Sequence, residues 1–116
     1  MKTAITLSIV CLLSAVSSTY CKKDPFPIPN CIQQKIDSIK NSPKRTPPAE
    51  IHVWNYGGAN VYLLNAPCCD EFVKLFDENC KYICSPSGGP RQYGDSLCPN
   101  FYQDARYIGI VYRDDR

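Results

Sequence analysis

The stretch EIHVWNYGGANVYLLNAP, residues 50–67, decides the fold class of this chain. It places two runs of β-branched and aromatic residues on either side of Gly57-Gly58. Residues of these types favour strands, and glycines supply the positive φ angles that a tight turn needs. The stretch therefore predicts a β-hairpin, with strands over about 50–56 and 60–65.

A second apolar segment, FVKLFDENCKYIC, repeats this design at residues 72–84. Two apolar runs flank Asp77-Glu78-Asn79, which are turn-forming residues. The segment predicts another hairpin, with strands over about 72–76 and 80–84. Nearer the C-terminus, the run YIGIVY predicts a last strand over about 107–112.

The segment before the first hairpin, NCIQQKIDSIKNSP, has a helical period instead. Its isoleucines fall at i, i+4 and i+7, on one face of a helix: Ile32, Ile36 and Ile39. Asn30 is a candidate N-cap with Gln33 at the capping-box position, and Pro43 ends the pattern. A helix over about 31–41 follows. The sequence thus predicts an α+β domain, with one N-terminal helix packed on a small antiparallel sheet of about five strands.

The first residues of the chain have the layout of a secretory signal peptide. MKTAITLSIVCLLSAVSS, residues 1–18, gives a basic start, a short apolar run and then small residues. The apolar run is about half of the ~20 residues that a membrane-spanning helix needs. We expect export and no membrane span, with a proline-rich lead-in at residues 19–29 and a single domain at 30–116.

Seven cysteines remain after the signal peptide: Cys21, Cys31, Cys68, Cys69, Cys80, Cys84 and Cys98. In a short exported chain they predict a disulfide framework, because a small core offsets little chain entropy without cross-links. An odd count leaves one thiol over.

Charge indicates no particular partner. The chain has 13 basic and 11 acidic side chains, for a net charge of +2, and the two signs are interspersed. A basic stripe for nucleic acid and an acidic run for mineral or calcium are both lacking in the sequence. We expect no nucleic-acid partner and no cofactor.

Three catalytic or metal-binding alternatives are weaker than structural interpretations. Gly94-Asp95-Ser96-Leu97 spells the motif of a lipase family, but the single histidine, His52, lies on a predicted strand outside the Asp-x-x-His frame that supplies the base. The four thiols of Cys68-Cys69 and Cys80-x-x-x-Cys84 are not spaced like a common zinc site. Asp77 begins like a calcium loop, which then fails at Lys81. We expect no catalytic residue and no metal site.

Several motifs together resemble a known family. They are PNCIQQKIDSIK, a hairpin ending in VY, APCCDEFVKLFDENCKYICSPSGG and GDSLCPNF. This combination is similar to small domains of unknown function that are widespread in exported bacterial proteins, many of them lipoproteins. The resemblance covers most of the chain after the signal peptide. It implies an architecture and no chemistry, and it makes Gly94 and Asp95 part of a structural loop.

Six of the seven cysteines belong to this pattern and Cys21 does not. We expect the six to form three disulfides, and Cys21 to remain free or to link two chains. Cys68 and Cys69 should not bond to each other, because neighbouring side chains on a strand point to opposite faces and a ring closed by adjacent cysteines is strained. In the predicted second hairpin Cys84 lies opposite Phe72. We therefore expect Cys84 to bond with Cys68 or Cys69, Cys98 with Cys80, and Cys31 with the remaining cysteine.

These features predict a secreted, non-catalytic structural or binding protein. The favoured role is a component of an extracellular matrix, and mineralised matrices are included. The tyrosines and Trp54 could form a binding face, but their strand positions favour core packing. The alternative is a peptidase inhibitor or toxin-like ligand that presents the loop of residues 85–97. Its candidate binding residues are Ser87, Gly88, Gly89 and Arg91, with Arg91 as the specificity residue.

Overall fold

The computed structural model describes residues 27–116. Its elements, in chain order, are α1 (Asn30–Lys40), β1 (Glu50–Tyr56), β2 (Ala59–Leu64), β3 (Phe72–Phe76), β4 (Tyr82–Gly88), α2 (Phe101–Asp104) and β5 (Arg106–Arg113). The strands form one antiparallel sheet in the order β4-β3-β2-β1-β5. The predicted α+β class and the five-stranded antiparallel sheet are confirmed. The expected signal peptide and Cys21 lie outside the described residues, and the fate of Cys21 stays a prediction.

The helix is confirmed within one residue at each end, but two details of its expected position were wrong. It lies at residues 30–40, inside the chain rather than at its N-terminus. Pro29, and not Asn30, is the N-cap residue, and no side chain caps the helix. The reason is that the amide of Gln33 already donates to the carbonyl of Pro29 (2.9 Å), so the first helical turn starts one residue early.

One face of the sheet is covered by α1. Ile32 and Ile36 of the helix are buried against Ile51, Val53 and Tyr62 of β1 and β2. The alternation along β1 puts Ile51 and Val53 on this face, since successive strand side chains point to opposite sides. The predicted isoleucine stripe therefore faces the sheet.

The other face is covered by the segment that follows β4. Its core contains Val61, Leu63 and Leu75 from the sheet, with Cys98 and Phe101 from the covering segment. Phe101 opens the short helix α2, which the sequence did not predict, and its side chain is fully buried. We call the first side the helix face and this one the loop face.

Within residues 27–116, three disulfides join these parts: Cys31–Cys80, Cys68–Cys69 and Cys84–Cys98. The first ties α1 to the turn between β3 and β4, and the third ties β4 to the segment on the loop face. All three pairings differ from those expected.

The register of the second hairpin explains the wrong pairings on β4. Asp77 donates its amide to the carbonyl of Lys81 (2.9 Å), so the turn takes up Cys80 and β4 starts only at Tyr82. Cys84 then lies opposite Leu75, not Phe72. Cys80, in the turn, is free to reach the helix.

The geometry at Cys68-Cys69 explains the third pairing. These residues form a turn rather than a strand, closed by a hydrogen bond from the amide of Glu71 to the carbonyl of Cys68 (3.0 Å). The alternation of side chains in an extended strand, one of the two grounds for the expectation, does not apply in a turn.

An ion pair fixes the end of the helix to the end of the sheet. Arg116 donates to the carbonyls of Lys40 and Ser42 (2.9 Å each), at the C-terminal end of α1, and to both carboxylate oxygens of Asp114 (2.8 Å). Asp114 is buried. The hydrogen bonds from Arg116 lower the pKa of the Asp114 carboxyl to about 2, against its burial, which acts in the opposite direction.

Candidate functional site

The loop face carries a continuous group of aromatic rings, which we call the aromatic cluster. Its members are Trp54, Tyr56, Phe101, Tyr102 and Tyr107. Trp54 contacts three of the other rings. The centroid of its ring lies 5.0 Å from that of Tyr107, 5.3 Å from that of Phe101 and 5.7 Å from that of Tyr102. These edge-on and tilted contacts are the geometries that aromatic pairs prefer.

Strand register builds the cluster. Trp54 and Tyr56 are two residues apart on β1 and so point to the same side. Trp54 is paired with Tyr107 on β5, a neighbour in the sheet but distant in sequence. The short helix α2 then lays Phe101 and Tyr102 across them from above.

Some rings of the aromatic cluster are buried and others are exposed to solvent. Phe101 is 0% exposed, while Tyr102 is 46% and Tyr107 is 49% exposed. Ile110, which follows on β5, is 37% exposed. The expectation that the strand aromatics serve core packing is therefore wrong for Tyr107, whose ring packs on Trp54 but stays half exposed.

A chain of polar contacts holds one edge of the cluster. The Tyr107 hydroxyl lies 2.9 Å from Nδ1 of His52, and His52 Nε2 lies 3.0 Å from a carboxylate oxygen of Glu50. The other Glu50 oxygen accepts from Nε of Arg113 (2.8 Å). The hydrogen bond with His52 is the main cause that lowers the pKa of Glu50, with Arg113 adding to it. His52 is thus a positioning residue for the Tyr107 ring.

The opposite edge is held by Tyr102, whose hydroxyl lies 2.9 Å from Oγ of Ser87 on β4. Near Tyr102, the indole N–H of Trp54 is buried and has no hydrogen-bond partner within residues 27–116. Tyr56, another member of the aromatic cluster, lines a broad cleft of about 670 Å³ between the turns of the two hairpins. The aromatic surface therefore continues into a concave one.

The predicted binding loop of residues 85–97 is closed at its base by the Cys84–Cys98 disulfide. Ser87 and Gly88 belong to β4, and the chain then turns, with the amide of Gln92 donating to the carbonyl of Gly89 (3.0 Å). Arg91 sits inside this turn and is exposed. The structure thus places Arg91 at a loop tip, and Ser87, Gly88 and Gly89 at its base.

The lipase-like letters form a corner of this loop. Asp95 accepts from the amides of Ser85 and Leu97 (3.0 Å each), while its own amide donates to the carbonyl of Ser85 (2.9 Å). Gly94 has φ 75°, and a Cβ there would lie 2.0 Å from the Ser85 carbonyl oxygen. Ser96, with φ 66°, contributes a left-handed backbone.

This corner is far from the single histidine. The bonds of Asp95 to Ser85 fix Ser96 beside β4, whereas His52 lies on β1, three strands away. Three strand spacings are about 14 Å. The structure therefore does not bring Ser96 and His52 together.

The third feature is the Cys68–Cys69 turn, in which both cysteines are exposed. It borders a smaller cleft of about 290 Å³, whose lining residues are Pro47, Ala66, Cys68, Cys69, Glu71, Val73, Ser87, Gly88 and Gln92. The side chain of Gln92 donates to the carbonyl of Cys69 (3.1 Å) and so ties the two loops together.

Within residues 27–116, no group of three or more His, Cys, Asp and Glu side chains is arranged to hold a metal ion. Over the same range, no helix has the length and apolar character to cross a membrane. The four thiols of the zinc hypothesis are divided among three separate disulfides.

The aromatic residues are evident in the sequence, but their contacts with one another were not predicted from it. The usable signal was the alternation of His52, Trp54 and Tyr56 along one strand, which puts them on one side. The pairing of β1 with β5 and the position of α2 had no local signal.

A family model described as a domain of unknown function (DUF6970) matches residues 37–114. The match begins within α1 and contains all five strands and α2. Cys31 lies outside it, although it is bonded to Cys80 inside it. No curated protein matches the chain, and no solved structure does.

Proposed function

The chain belongs to the DUF6970 family of domains of unknown function, and we propose that it is a secreted, non-catalytic binding protein of an extracellular matrix. The aromatic cluster is its binding face. Three disulfides are compatible with a secreted protein, because thiols are oxidised mainly outside the cytosol. Mineralised matrices remain among the candidate locations.

The single observation that carries this proposal is the half-exposed pair Tyr102 and Tyr107 on a buried aromatic base. Tyrosine and tryptophan supply much of the free energy of binding at interfaces, since they bury a large area and lose little conformational freedom. Here the rings are fixed before any ligand arrives, by the contacts of Tyr107 with His52 and of Tyr102 with Ser87. Preorganised rings lower the entropy cost of binding.

The charge around the cluster favours an uncharged ligand. Arg113, the cation bonded at the polar edge, has its charge already paired with Glu50. A polyanion such as nucleic acid needs several free cations in a row. Pyranose rings suit the surface better, because their C–H faces stack on aromatic rings while their hydroxyls meet tyrosine hydroxyls. We infer that the ligand is an uncharged matrix polysaccharide.

The absence of catalysis is part of the proposal. The contacts from Tyr107 through His52 to Glu50 resemble a proton relay, but Arg113 neutralises its carboxylate and the tyrosine ring packs on Trp54. The arrangement supports a rigid ring rather than a base poised over a substrate. Ser96 lies three strands away, and the six described cysteines are bonded in disulfides.

The test is co-sedimentation of the oxidised protein with insoluble uncharged polysaccharides, chitin and cellulose, and with insoluble collagen as a protein arm. We expect retention on a polysaccharide. Tyr102→Ala/Tyr107→Ala should weaken it about thirtyfold or more, because each ring carries on the order of 1–2 kcal/mol and 1.4 kcal/mol is about a factor of ten. Tyr107→Phe, which keeps the ring and loses only the hydroxyl with its contact to His52, should weaken it less.

The matched control is Tyr93→Ala. Tyr93 is 80% exposed and is not a member of the aromatic cluster. Its variant should bind like the original protein, and circular dichroism should show all variants folded. Equal retention of the double variant and the original protein would refute the binding face. Retention on collagen alone would refute the polysaccharide assignment but not the face.

The loop of residues 85–97 gives the second candidate, a peptidase inhibitor. Its closure by Cys84–Cys98 and the exposed Arg91 favour this function. However, peptidases commonly hold a bound segment in an extended, strand-like form, and Arg91 sits in a closed turn. The geometry therefore supports inhibition less than binding through the cluster. Inhibition of trypsin that is lost in Arg91→Ala and kept in Arg106→Ala would favour the inhibitor.

A further inference from the structure

The three disulfides differ sharply in their access to solvent. Cys84 is 1% and Cys98 is 6% exposed. Cys31 and Cys80 are partly covered, whereas Cys68 and Cys69 are both exposed. A thiol in solution can reach the Cys68–Cys69 bond without any opening of the fold. The Cys84–Cys98 bond becomes reachable only when the loop face unfolds locally.

They also differ in what they contribute to stability. In the chain-entropy account, the stabilisation by a cross-link increases with the logarithm of the number of residues in the loop that it closes. Cys31–Cys80 spans 49 residues and Cys84–Cys98 spans 14, but Cys68–Cys69 joins neighbours. A bond between neighbours restricts the unfolded chain very little. Cross-linking the fold therefore does not account for the Cys68–Cys69 bond.

We propose that Cys68–Cys69 is a thiol-acceptor site, through which the protein couples covalently and reversibly to a thiol-bearing partner. The incoming thiolate attacks one sulfur of the pair and forms a new S–S bond. The Cys68–Cys69 bond breaks, its electron pair stays on the other sulfur, and that sulfur takes up the proton lost by the thiol. The exchange needs no external oxidant or reductant. The released thiol can attack back and free the partner.

The surroundings of the site define which thiols it accepts. Asp70 and Glu71 directly follow the pair and are both exposed, and Glu71 is the charged residue that lines the adjacent cleft. Arg45 is close enough to Glu71 for the two charges to interact, but its guanidinium is bound to Asn65. The charged residues that directly adjoin the pair in the chain, Asp70 and Glu71, are therefore both negative. A thiol beside a positive charge should therefore react better than an anionic thiol.

The experiment uses the oxidised full protein and three small thiols: cysteamine (cationic), 2-mercaptoethanol (neutral) and 3-mercaptopropionate (anionic). Samples are quenched with iodoacetamide and mapped by mass spectrometry. We expect the first mixed disulfides and alkylated thiols on the peptide that contains Cys68 and Cys69. Exchange there should be about tenfold or more faster than at Cys84–Cys98, which must open first.

Two variants serve as controls. Cys68→Ala/Cys69→Ala should lose the fast phase and stay folded. Asp70→Asn/Glu71→Gln should lower the ratio of the cysteamine rate to the mercaptopropionate rate about threefold at low salt. Comparing ratios between the two proteins cancels the intrinsic reactivity of each thiol.

Two results would overturn the proposal: simultaneous exchange at all three disulfides, or a fast phase that survives in Cys68→Ala/Cys69→Ala. An unchanged rate ratio in Asp70→Asn/Glu71→Gln would overturn the charge preference. None of these measurements involves the aromatic cluster, so this site and the proposed binding function can fail separately.

Discussion

On the helix face, the sheet is covered by a regular helix with an aliphatic stripe, and on the loop face by an irregular segment with aromatic rings. Each cover is held by one disulfide, Cys31–Cys80 or Cys84–Cys98. The helix face buries Ile32 and Ile36 almost completely, whereas the loop face leaves Tyr102 and Tyr107 half open.

The difference separates two tasks. Aliphatic side chains on a helix fill a core efficiently and offer a ligand few specific contacts. An irregular segment can leave rings partly uncovered, because its hydrogen bonds are met by individual side chains such as Asp95 rather than by a continuous ladder. We therefore expect the helix face to determine stability and the loop face to determine binding.

Removing the cross-link of the helix face should have the largest effect on stability. Cys31→Ala/Cys80→Ala opens a loop of 49 residues, which corresponds to about 4 kcal/mol of unfolding free energy. We expect the thermal midpoint to fall by about 15 °C or more. At temperatures where the variant is still folded, polysaccharide retention should be unchanged. Lost binding in a folded variant would show that the two faces do not act separately.

Removing the cross-link of the loop face should cost less stability and more function. Cys84→Ala/Cys98→Ala opens a loop of 14 residues, corresponding to about 3 kcal/mol. The segment that carries Phe101 and Tyr102 would then lose its tether to β4. We expect weaker polysaccharide retention at a temperature where circular dichroism still shows a folded sheet. A larger loss of unfolding free energy than in Cys31→Ala/Cys80→Ala would reverse the comparison.

This contrast also explains how much of the molecule could be predicted from sequence. The isoleucine spacing of α1 and the glycines at Gly57-Gly58 are local signals, and both predicted their elements to within about one residue. The turn after β3 is a local feature too, but the hydrogen bond from Asp77 to Lys81 lengthens it. That shift moved Cys84 along β4 and made the predicted pairings of Cys80 and Cys84 wrong.

The candidate site was less predictable than the fold. The aromatic cluster depends on Trp54 meeting Tyr107 across β1 and β5, and on Phe101 packing against Trp54. These contacts join segments about fifty residues apart, and a periodic pattern carries no information about them. The site therefore follows from tertiary packing, and the sequence supplied only its residue types.

Acid should weaken the helix face through Asp114. Its folded pKa of about 2 lies below its ordinary value of 3.8, so its contribution to stability is fully present above about pH 4 and is lost as the pH falls toward 2. Asp114→Asn should be destabilised at pH 7, and the difference from the original protein should shrink between pH 4 and 2. Urea unfolding at several pH values measures it.

Glu50→Gln is the corresponding variant on the loop face. The pKa of Glu50 is also lowered, chiefly by His52, but its carboxylate serves the loop face. This variant should affect the position of Tyr107 and hence polysaccharide retention. A gap between Asp114→Asn and the original protein that stayed constant down to pH 2 would contradict the assignment to Asp114.

The smallest effect on stability should come from removing Cys68–Cys69, the disulfide that holds neither α1 nor the loop segment on the sheet. Cys68→Ala/Cys69→Ala removes a link between adjacent residues, for which the chain-entropy account gives about 1 kcal/mol or less. The turn has other supports, namely the bond from the Glu71 amide to the Cys68 carbonyl and that from the Gln92 side chain to Cys69. We expect a midpoint within a few degrees of the original and unchanged polysaccharide retention, with thiol exchange alone abolished. A drop as large as that of Cys84→Ala/Cys98→Ala would mean that this bond holds the fold, and its exposure would then need another explanation.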